Sequence, residues 1–286
     1  MRNLRLATAA LVVVGLAACA PADESDDSGT AAPAGTACTP ADLKTLTAGK
    51  LTFGTDDPVY PPWFDDNKPE NGKGFEGAVA KALAKKLGYA DDAVVWVRVP
   101  FNNAIAPGPK TYDIDINEFS ITDERKQAVD FSAPYYDVTQ AVIALKSNRI
   151  SGTKSLADLR GAKLGAQVGT TSLRAITESV KPSAQPQVYN NNDDAKKALQ
   201  NGQIDGLVVD LPTAFYITSA EIDDATIVGQ LPQPSGTPEQ FGLVLDKGSS
   251  LTACVSQAVT ALKTDGTLAN LEKEWLAGVS GAPVLS

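Results

Sequence analysis

One arginine is placed where it could bind a carboxylate. Arg125 follows Ser120-Ile121-Thr122 and two acids, and its planar guanidinium can pair with a carboxylate through two parallel hydrogen bonds. The alternative is a surface arginine at the start of a charged helix, because Asp123, Glu124 and Lys126 surround it. The residues alone favour this second interpretation.

A strand-to-helix turn and a strand-end acid could bind the two charges of a small molecule. The sequence Gly169-Thr170-Thr171-Ser172 lies between a predicted strand and a predicted helix, where free N–H groups and a partial positive charge suit a carboxylate. The alternative is an ordinary hydroxyl cap, and both can hold together. Asp210 follows the apolar strand 207–209 and could accept an ammonium, or it could be a turn acid before Pro212.

The composition excludes several kinds of chemistry. The 286 residues include no histidine, which excludes a Ser-His-Asp or Cys-His mechanism, a His-ligated zinc and a histidine pH switch. The formal net charge of −9 argues against a nucleic-acid partner, which normally requires a surplus of Lys and Arg. No cofactor and no metal are expected.

The N-terminal residues predict export. Arg2 and Arg5 precede an apolar run from Leu6 to Leu16, which is too short to span a bilayer and is typical of a signal peptide over residues 1–18. The run ends in Leu-Ala-Ala-Cys19 and resembles the bacterial lipobox, whose cysteine receives a lipid. The alternative is an ordinary signal peptide that contains a cysteine. Residues 19–37 are acidic and lack large apolar side chains, which predicts a flexible tether.

Strands and helices alternate through the remaining chain, which predicts an α/β fold with mostly parallel sheets. The predicted strands cover 51–55, 93–99, 114–119, 139–145, 163–168, 187–189, 204–209, 226–228 and 241–245. The predicted helices cover 75–87, 155–159, 172–180, 193–200, 251–262 and 267–276.

The three cysteines leave one pair if Cys19 carries a lipid. Cys38 and Cys254 would then form a disulfide in an oxidising compartment. The alternative for Cys254 is a buried free thiol on the apolar face of its helix.

Several stretches, in order, resemble the extracytoplasmic solute-binding proteins that serve polar amino-acid ABC importers. They are 54–64 with Gly74-Phe75-Glu76-Gly77, 119–136, 164–172, 202–210 and 265–267. The resemblance covers about residues 51–276, and the block around Arg125 is the most specific part of it. One departure is that Gly77-Ala78 follows Glu76, where the family often has a second acid.

The resemblance implies an α/β, two-lobed periplasmic-binding-protein-like fold with two hinge crossings. Lobe 1 would contain residues 38–142 and a return segment over 239–286, and lobe 2 would contain residues 143–238. Cys38 and Cys254 would then lie on the same lobe.

The resemblance also favours the ligand role of Arg125 and assigns the α-amino group to Asp210. Tyr60, Trp63 and Phe101 would form the wall of the side-chain pocket, with packing inside its loop as the alternative for Trp63. Acids near the mouth would favour a cationic or amide side chain over an acidic one. The implied ligand-binding residues are Asp57, Tyr60, Trp63, Phe101, Glu118, Ser120, Arg125, Thr170, Thr171 and Asp210.

These features together predict a monomeric receptor held by lipid on the outer face of the cell membrane. It would bind a polar L-amino acid without turnover and deliver it to the permease of an ABC importer. The alternatives are an enzyme on the same fold, such as a prephenate-type dehydratase, and a ligand-sensing module.

Overall fold

The computed structural model describes residues 38–233, 238–279 and 281–286. The expected signal peptide over 1–18, the lipidation site Cys19 and the expected tether over 19–37 lie outside the described residues. Among the described helices, none is both long enough and apolar enough to cross a bilayer.

The elements alternate along the chain much as the pattern predicts. The described strands are β1 (Leu51–Thr55), β2 (Val94–Arg98), β3 (Ile114–Asp115), β4 (Val129–Phe131), β5 (Tyr136–Val138), β6 (Gln140–Leu145), β7 (Leu164–Gln167), β8 (Gln187–Tyr189), β9 (Gly206–Asp210), β10 (Ala225–Gln230), β11 (Glu239–Phe241) and β12 (Val244–Asp246). The described helices are α1 (Phe75–Lys86), α2 (Phe101–Ala104), α3 (Leu156–Leu159), α4 (Thr171–Ala175), α5 (Asn192–Gln200), α6 (Leu211–Tyr216), α7 (Thr252–Thr264) and α8 (Thr267–Trp275). Helices α4 and α6 each continue into a π-helical turn.

Lobe 1 is built on a sheet with the strand order β2-β1-β3-β12-β4. Strand β1 is buried along its whole length because helix α1 and its neighbours cover it. Helix α1 turns Phe75, Val79 and Leu83 inward at helical spacing, and all three side chains are fully buried. Helices α7 and α8 pack against α1 and complete this core.

Lobe 2 is built on a second sheet with the order β10-β6-β9-β7-β8. Its central strands carry near-continuous apolar runs, such as Leu207-Val208-Val209 in β9, because helices and loops cover both faces. Strand β9 ends at Asp210 and α4 begins just after β7, so both lie at the edge of the sheet where parallel strands end.

Two crossings join the lobes through the antiparallel pair β5 and β11, in which Tyr136 lies opposite Phe241. Strand β6 pairs with β9 from Gln140 onwards and lies wholly in the lobe 2 sheet. We therefore place the first crossing before Gln140, because the expected boundary at 142/143 would cut β6. The second crossing lies between the end of β10 and the start of β11.

The sheets are mixed, and the expectation of mostly parallel sheets is wrong. Strand β6 runs antiparallel to both β9 and β10, and β12 runs antiparallel to β3 and β4. Each of these strands enters its sheet almost directly from a crossing. No helix returns the chain to the opposite end of the sheet first, and parallel pairing requires such a connection.

The C-terminal residues lie on lobe 2, whereas the expected return segment over 239–286 assigns them to lobe 1. Val279 still packs against the lobe 1 core. The N–H of Gln230 then donates to the carbonyl of Pro283 at 2.8 Å, and the N–H of Leu285 donates to the carbonyl of Gln230 at 2.9 Å. Leu285 is only 1% exposed within the lobe 2 core. The described residues on either side, Val279 and Pro283, therefore belong to different lobes.

A disulfide joins Cys38 to Cys254, with 5.5 Å between the Cα atoms. It attaches the first described residue of the chain to helix α7. The predicted pairing of these two cysteines is confirmed, and both lie in lobe 1.

Candidate functional site

A polar cleft lies between the two lobes and encloses about 570 Å³ of empty space, its open mouth included. Both lobes contribute to its walls. The lining residues are Asp56, Pro58, Tyr60, Phe101, Asn117, Glu118, Arg125, Gln167, Thr170, Thr171, Ser172, Asn192, Val208, Val209, Asp210 and Thr213.

The cleft brings together seven of the ten ligand-binding residues implied by the sequence. These are Tyr60, Phe101, Glu118, Arg125, Thr170, Thr171 and Asp210. The other three, Asp57, Trp63 and Ser120, do not line it.

Arg125 lies in the wall of the cleft with its guanidinium held from both lobes. Its Nη1 donates to the carbonyl of Ser120 at 2.8 Å, and its Nη2 donates to the carbonyl of Gly169 at 3.0 Å. The guanidinium carbon lies 5.5 Å from the centre of the Phe101 ring. Burial lowers the pKa of Arg125 to about 10, so the side chain remains a cation at neutral pH. The surface alternative for Arg125 is therefore wrong.

Gly169 permits this close approach of the lobes. Its φ of +76° lies in the left-handed region, and a Cβ atom would fall 2.0 Å from Oδ1 of Asn102. Thr170 follows as the N-cap of α4, and its hydroxyl accepts the N–H of Leu173. The cap and the cleft wall are thus formed by the same turn.

Asp210 lies at the floor of the cleft in a network centred on Gln140. The Nε2 of Gln140 donates to Oδ1 of Asp210 at 2.6 Å, and Ser172 donates its hydroxyl to Oε1 of Gln140 at 2.6 Å. Burial, and next the charge of Glu239, raise the pKa of Asp210 to about 8. An incoming ammonium would offset both effects, so Asp210 is suited to bind one.

Other acids surround Glu118 in the cleft. Burial raises the pKa of Glu118 well above its ordinary value, and Glu76, Asp210 and Asp56 raise it further. Burial likewise raises the pKa of Asp56, which also lines the cleft. This region therefore holds carboxyl groups in excess of cations, and it would be stabilised by a positive charge.

Trp63 does not line the cleft, and its side chain packs against other elements instead of only its own loop. Its side chain is 0% exposed and contacts Phe75, Tyr136 and Phe241 edge-on. Its Nε1 donates across the lobes to Oγ1 of Thr213 at 2.8 Å. Trp63 therefore links lobe 1 to lobe 2 instead of forming the wall of the cleft.

Asp57 and Ser120 support the site from outside the cleft. Asp57 is exposed, and its carboxylate accepts a hydrogen bond from Asn67. Asp56, its neighbour in the chain, lines the cleft instead. Ser120 is buried, and its hydroxyl lies 3.2 Å from that of Thr171 across the lobes.

Sequence reasoning missed several polar lining residues. They are Asn117, Gln167, Ser172, Asn192 and Thr213. For three of them a signal existed, because Gln167 and Ser172 lie within the family-like stretch 164–172 and Asn117 precedes Glu118. For Asn192 and Thr213 there was none, since their approach to the cleft depends on how α5 and α6 pack on lobe 2.

The fold and the cleft together define a two-lobed binding protein that encloses a small polar ligand between its lobes. The chain belongs to the bacterial extracellular solute-binding proteins, family 3, whose profile matches residues 51–278.

Named relatives of this chain are amino-acid-binding proteins. It is 32% identical over 222 residues to a probable histidine-binding protein of Campylobacter jejuni, covering 76% of this chain and 82% of that protein. It is 30% identical over 232 residues to the ABC transporter arginine-binding protein 1 of Escherichia coli, covering 80% of this chain and 91% of that protein. A solved ancestral arginine-binding protein bound to arginine matches with a TM-score of 0.66 and 34% identity, covering 79% of this chain and 98% of that structure.

Proposed function

We propose that this protein is an extracytoplasmic receptor that binds an L-amino acid with a cationic side chain and presents it to an ABC importer. The observation that carries the proposal is the charge pattern of the cleft, in which one buried arginine and one strand-end acid face a group of acids without an equal number of cations.

Each part of an amino acid then has a partner. Arg125 and the turn at Thr170 and Thr171 bind the α-carboxylate, because a guanidinium and free N–H groups both favour an anion. Asp210 binds the α-ammonium. Tyr60 and Phe101 contact the aliphatic part of the side chain.

The acids of the cleft favour a positive charge at the end of that side chain. Ionised carboxylates are costly to bury without a cation, and a cationic ligand removes this cost for Glu118 and Asp56. The named relatives include an arginine-binding protein, and a solved neighbour holds arginine.

Ligand binding would stabilise the closed arrangement of the lobes. Arg125 belongs to lobe 1, whereas Thr170 and Asp210 belong to lobe 2, so a ligand that contacts all three holds the lobes together. The closed form would be the one that the permease recognises.

A thermal-shift screen of the common L-amino acids followed by calorimetry tests this proposal. We expect one-to-one binding of arginine or lysine without turnover, and much weaker binding of citrulline, which has the shape of arginine without its charge. Arg125→Ala should abolish binding of every amino acid, whereas Glu118→Gln should weaken cationic ligands selectively. Equal affinity for arginine and citrulline would contradict the cationic assignment. Absence of binding to any amino acid would contradict the receptor role itself.

We further propose that the mature protein begins at Cys19 and is a lipid-anchored monomer. The lipobox-like sequence supports the anchor. Mass spectrometry of the protein from the native host tests it: the first residue of the wild type should be a Cys19 that carries a diacylglycerol, and Cys19→Ser should carry no lipid. A mature wild type without lipid on Cys19 would contradict lipid anchoring at this residue.

A further inference from the structure

Glu76 is a buried acid that the proposed ligand contacts do not use. It lies in the first turn of α1 with 0% of its side chain exposed. Its Oε1 accepts the N–H of Glu118 at 2.7 Å and also accepts the hydroxyl hydrogen of Tyr135. Its Oε2 has no hydrogen-bond partner among the described residues. A buried carboxyl with one unpartnered oxygen lowers the stability of the fold, so its presence requires an explanation.

Glu118, the residue that Glu76 holds, has an unusual backbone conformation. Its φ is +52°, in the left-handed region that is unfavourable for a non-glycine residue. The hydrogen bond from its N–H to Glu76 fixes the peptide at this point of the chain. The side chain of Glu118 lines the cleft, so Glu76 acts on the cleft through the orientation of Glu118.

The groups that face Glu76 are acids and one phenol. Tyr135 contacts it from the segment before β5, Asp115 faces it from β3, Glu118 from the loop after β3, and Asp210 from the end of β9. Two cations act on these acids in the described part of the chain, Lys110 on Asp115 and Arg125 on Asp210. The acids outnumber these cations, so the carboxyl groups cannot all ionise cheaply while no cationic ligand is bound.

We propose that Glu76 is a positioning residue that aims Glu118 into the cleft and that, together with Glu118, makes the selection of a cationic side chain depend on proton release. This inference rests on the proposed function, since it concerns how the same cleft recognises its ligand. A cationic ligand end favours the ionised carboxyls, so a proton held by one of them in the free protein leaves to solvent as the ligand binds.

The direction of the pH effect follows from the electrostatics. Burial raises the pKa of Glu76 to about 7 and raises that of Glu118 well above its usual range. A bound cation lowers both. Affinity for a cationic ligand therefore increases as the pH rises towards and through neutrality.

The ratio of the affinities for two ligands separates the pH effect of Glu76 and Glu118 from that of Asp210. Every amino acid carries an α-ammonium, so Asp210 contributes the same pH dependence to arginine and to citrulline. Calorimetry should show that the affinity ratio of arginine to citrulline rises about tenfold between about pH 6 and pH 8, as expected for one linked proton with a pKa near neutrality. Measurements in buffers of different ionisation enthalpy should show more protons released with arginine than with citrulline.

Glu76→Gln tests the role of Glu76 because glutamine keeps the oxygen that accepts the N–H of Glu118 and removes the charge. We expect the affinity for citrulline and the melting temperature to change little. The affinity ratio of arginine to citrulline should fall, and it should vary less than about threefold over the same pH range. Glu70→Gln, an exposed acid of lobe 1, is the matched control for net charge and should behave as wild type. Glu76→Ala, which also removes the hydrogen bond, should lose more arginine affinity than Glu76→Gln.

Two results would contradict this inference alone, and a third would also contradict the proposed function. A ratio in the wild type that does not vary with pH, or one that Glu76→Gln leaves unchanged, contradicts the inference while the proposed function stands. Failure of the wild type to bind any amino acid contradicts the proposed function and this inference together.

Discussion

The hydrogen bond between Trp63 and Thr213 joins residues 150 positions apart and spans the two lobes. Both partners are buried, so the bond is protected from water and an unpaired partner would be costly. The hydrogen bond stabilises only the closed arrangement of the lobes, because opening the cleft separates the two residues.

We therefore expect Trp63→Phe to weaken ligand binding while the contacts to the ligand remain. A buried hydrogen bond contributes about 1 kcal/mol net, which corresponds to about a fivefold loss of affinity. Calorimetry on Trp63→Phe, Thr213→Val and the double variant gives the coupling between the two side chains. Losses that simply add in the double variant would show that the bond does not stabilise the closed form.

The buried acids also predict how stability changes with pH. Asp115 is 0% exposed, and neither of its carboxyl oxygens has a hydrogen-bond partner among the described residues. Burial raises its pKa well above the ordinary value. The folded state then keeps a proton that the unfolded state releases near pH 4, so the stability from this group is lost as the pH rises.

The melting temperature of the ligand-free protein should thus fall between about pH 5 and pH 8, the window set by the unfolded value and the raised values of the buried acids. The low pKa of Asp265, about 2, acts below this window and does not oppose the trend. Scanning calorimetry checks it, and Asp115→Asn should show a shallower fall. A melting temperature that rises over this range would contradict the assignment.

At the scale of elements, the start of helix α1 depends on one glycine. Gly74 has a φ of +83°, and a Cβ atom there would lie 2.4 Å from the carbonyl oxygen of Trp63. That carbonyl accepts the N–H groups of Glu76 and Gly77. A side chain at Gly74 would therefore displace the loop that carries Trp63 from the first turn of α1.

Gly74→Ala should therefore destabilise the protein more than the same substitution at a glycine where only the positive φ is unfavourable for alanine. Gly108 is the matched control, with a φ of +110° and nothing within 4 Å of a built Cβ. In urea unfolding, we expect Gly74→Ala to exceed Gly108→Ala by about 2 kcal/mol, the usual magnitude of overpacking. Equal losses would show that the contact with Trp63 relaxes freely.

Elements whose signal is local were predictable from sequence, and those that depend on distant partners were not. The spacing of Phe75, Val79 and Leu83 predicts the buried face of α1. The short strands β4 and β5 have no such period, because only pairing with β12 and β11 defines them. The predicted strand over 241–245 is interrupted after Phe241, since β11 pairs at the crossing and β12 pairs in the lobe 1 sheet.

The same distinction holds for the candidate site. The family-like block around Arg125 and the turn at Thr170 pointed to residues that line the cleft. The role of Trp63 was left open, because its partner Thr213 is defined only when the lobes meet. The positioning of Glu118 by Glu76 could not be predicted, since it requires the left-handed backbone at Glu118.

On the scale of the whole molecule, the C-terminal residues add a connection between the lobes. Leu285 is 1% exposed, whereas its neighbour Val284 is 61% exposed. The side chain of Gln230 also accepts a hydrogen bond from Thr139 and donates one to the carbonyl of Ala282. All three passages of the chain between the lobes therefore meet beside Gln230.

Leu285→Ala should destabilise lobe 2 by about 2 kcal/mol, the low end for a buried leucine because a terminal segment can detach. Val284→Ala is the control on the same segment and should change the free energy of unfolding by less than about 0.5 kcal/mol. Urea unfolding followed by fluorescence provides both values. Equal effects of the two variants would show that the C-terminal residues do not stabilise lobe 2 through Leu285.

The disulfide between Cys38 and Cys254 also determines how the folded body would respond to a mechanical force. Tension applied through the chain that precedes residue 38 reaches helix α7 directly through the sulfur atoms. The segment from residue 39 to residue 50, which contains no strand or helix, is bypassed and cannot be peeled away first. A pull on that part of the chain would therefore be borne by the interior of lobe 1, where α7 packs, and would not pass through the crossings to lobe 2.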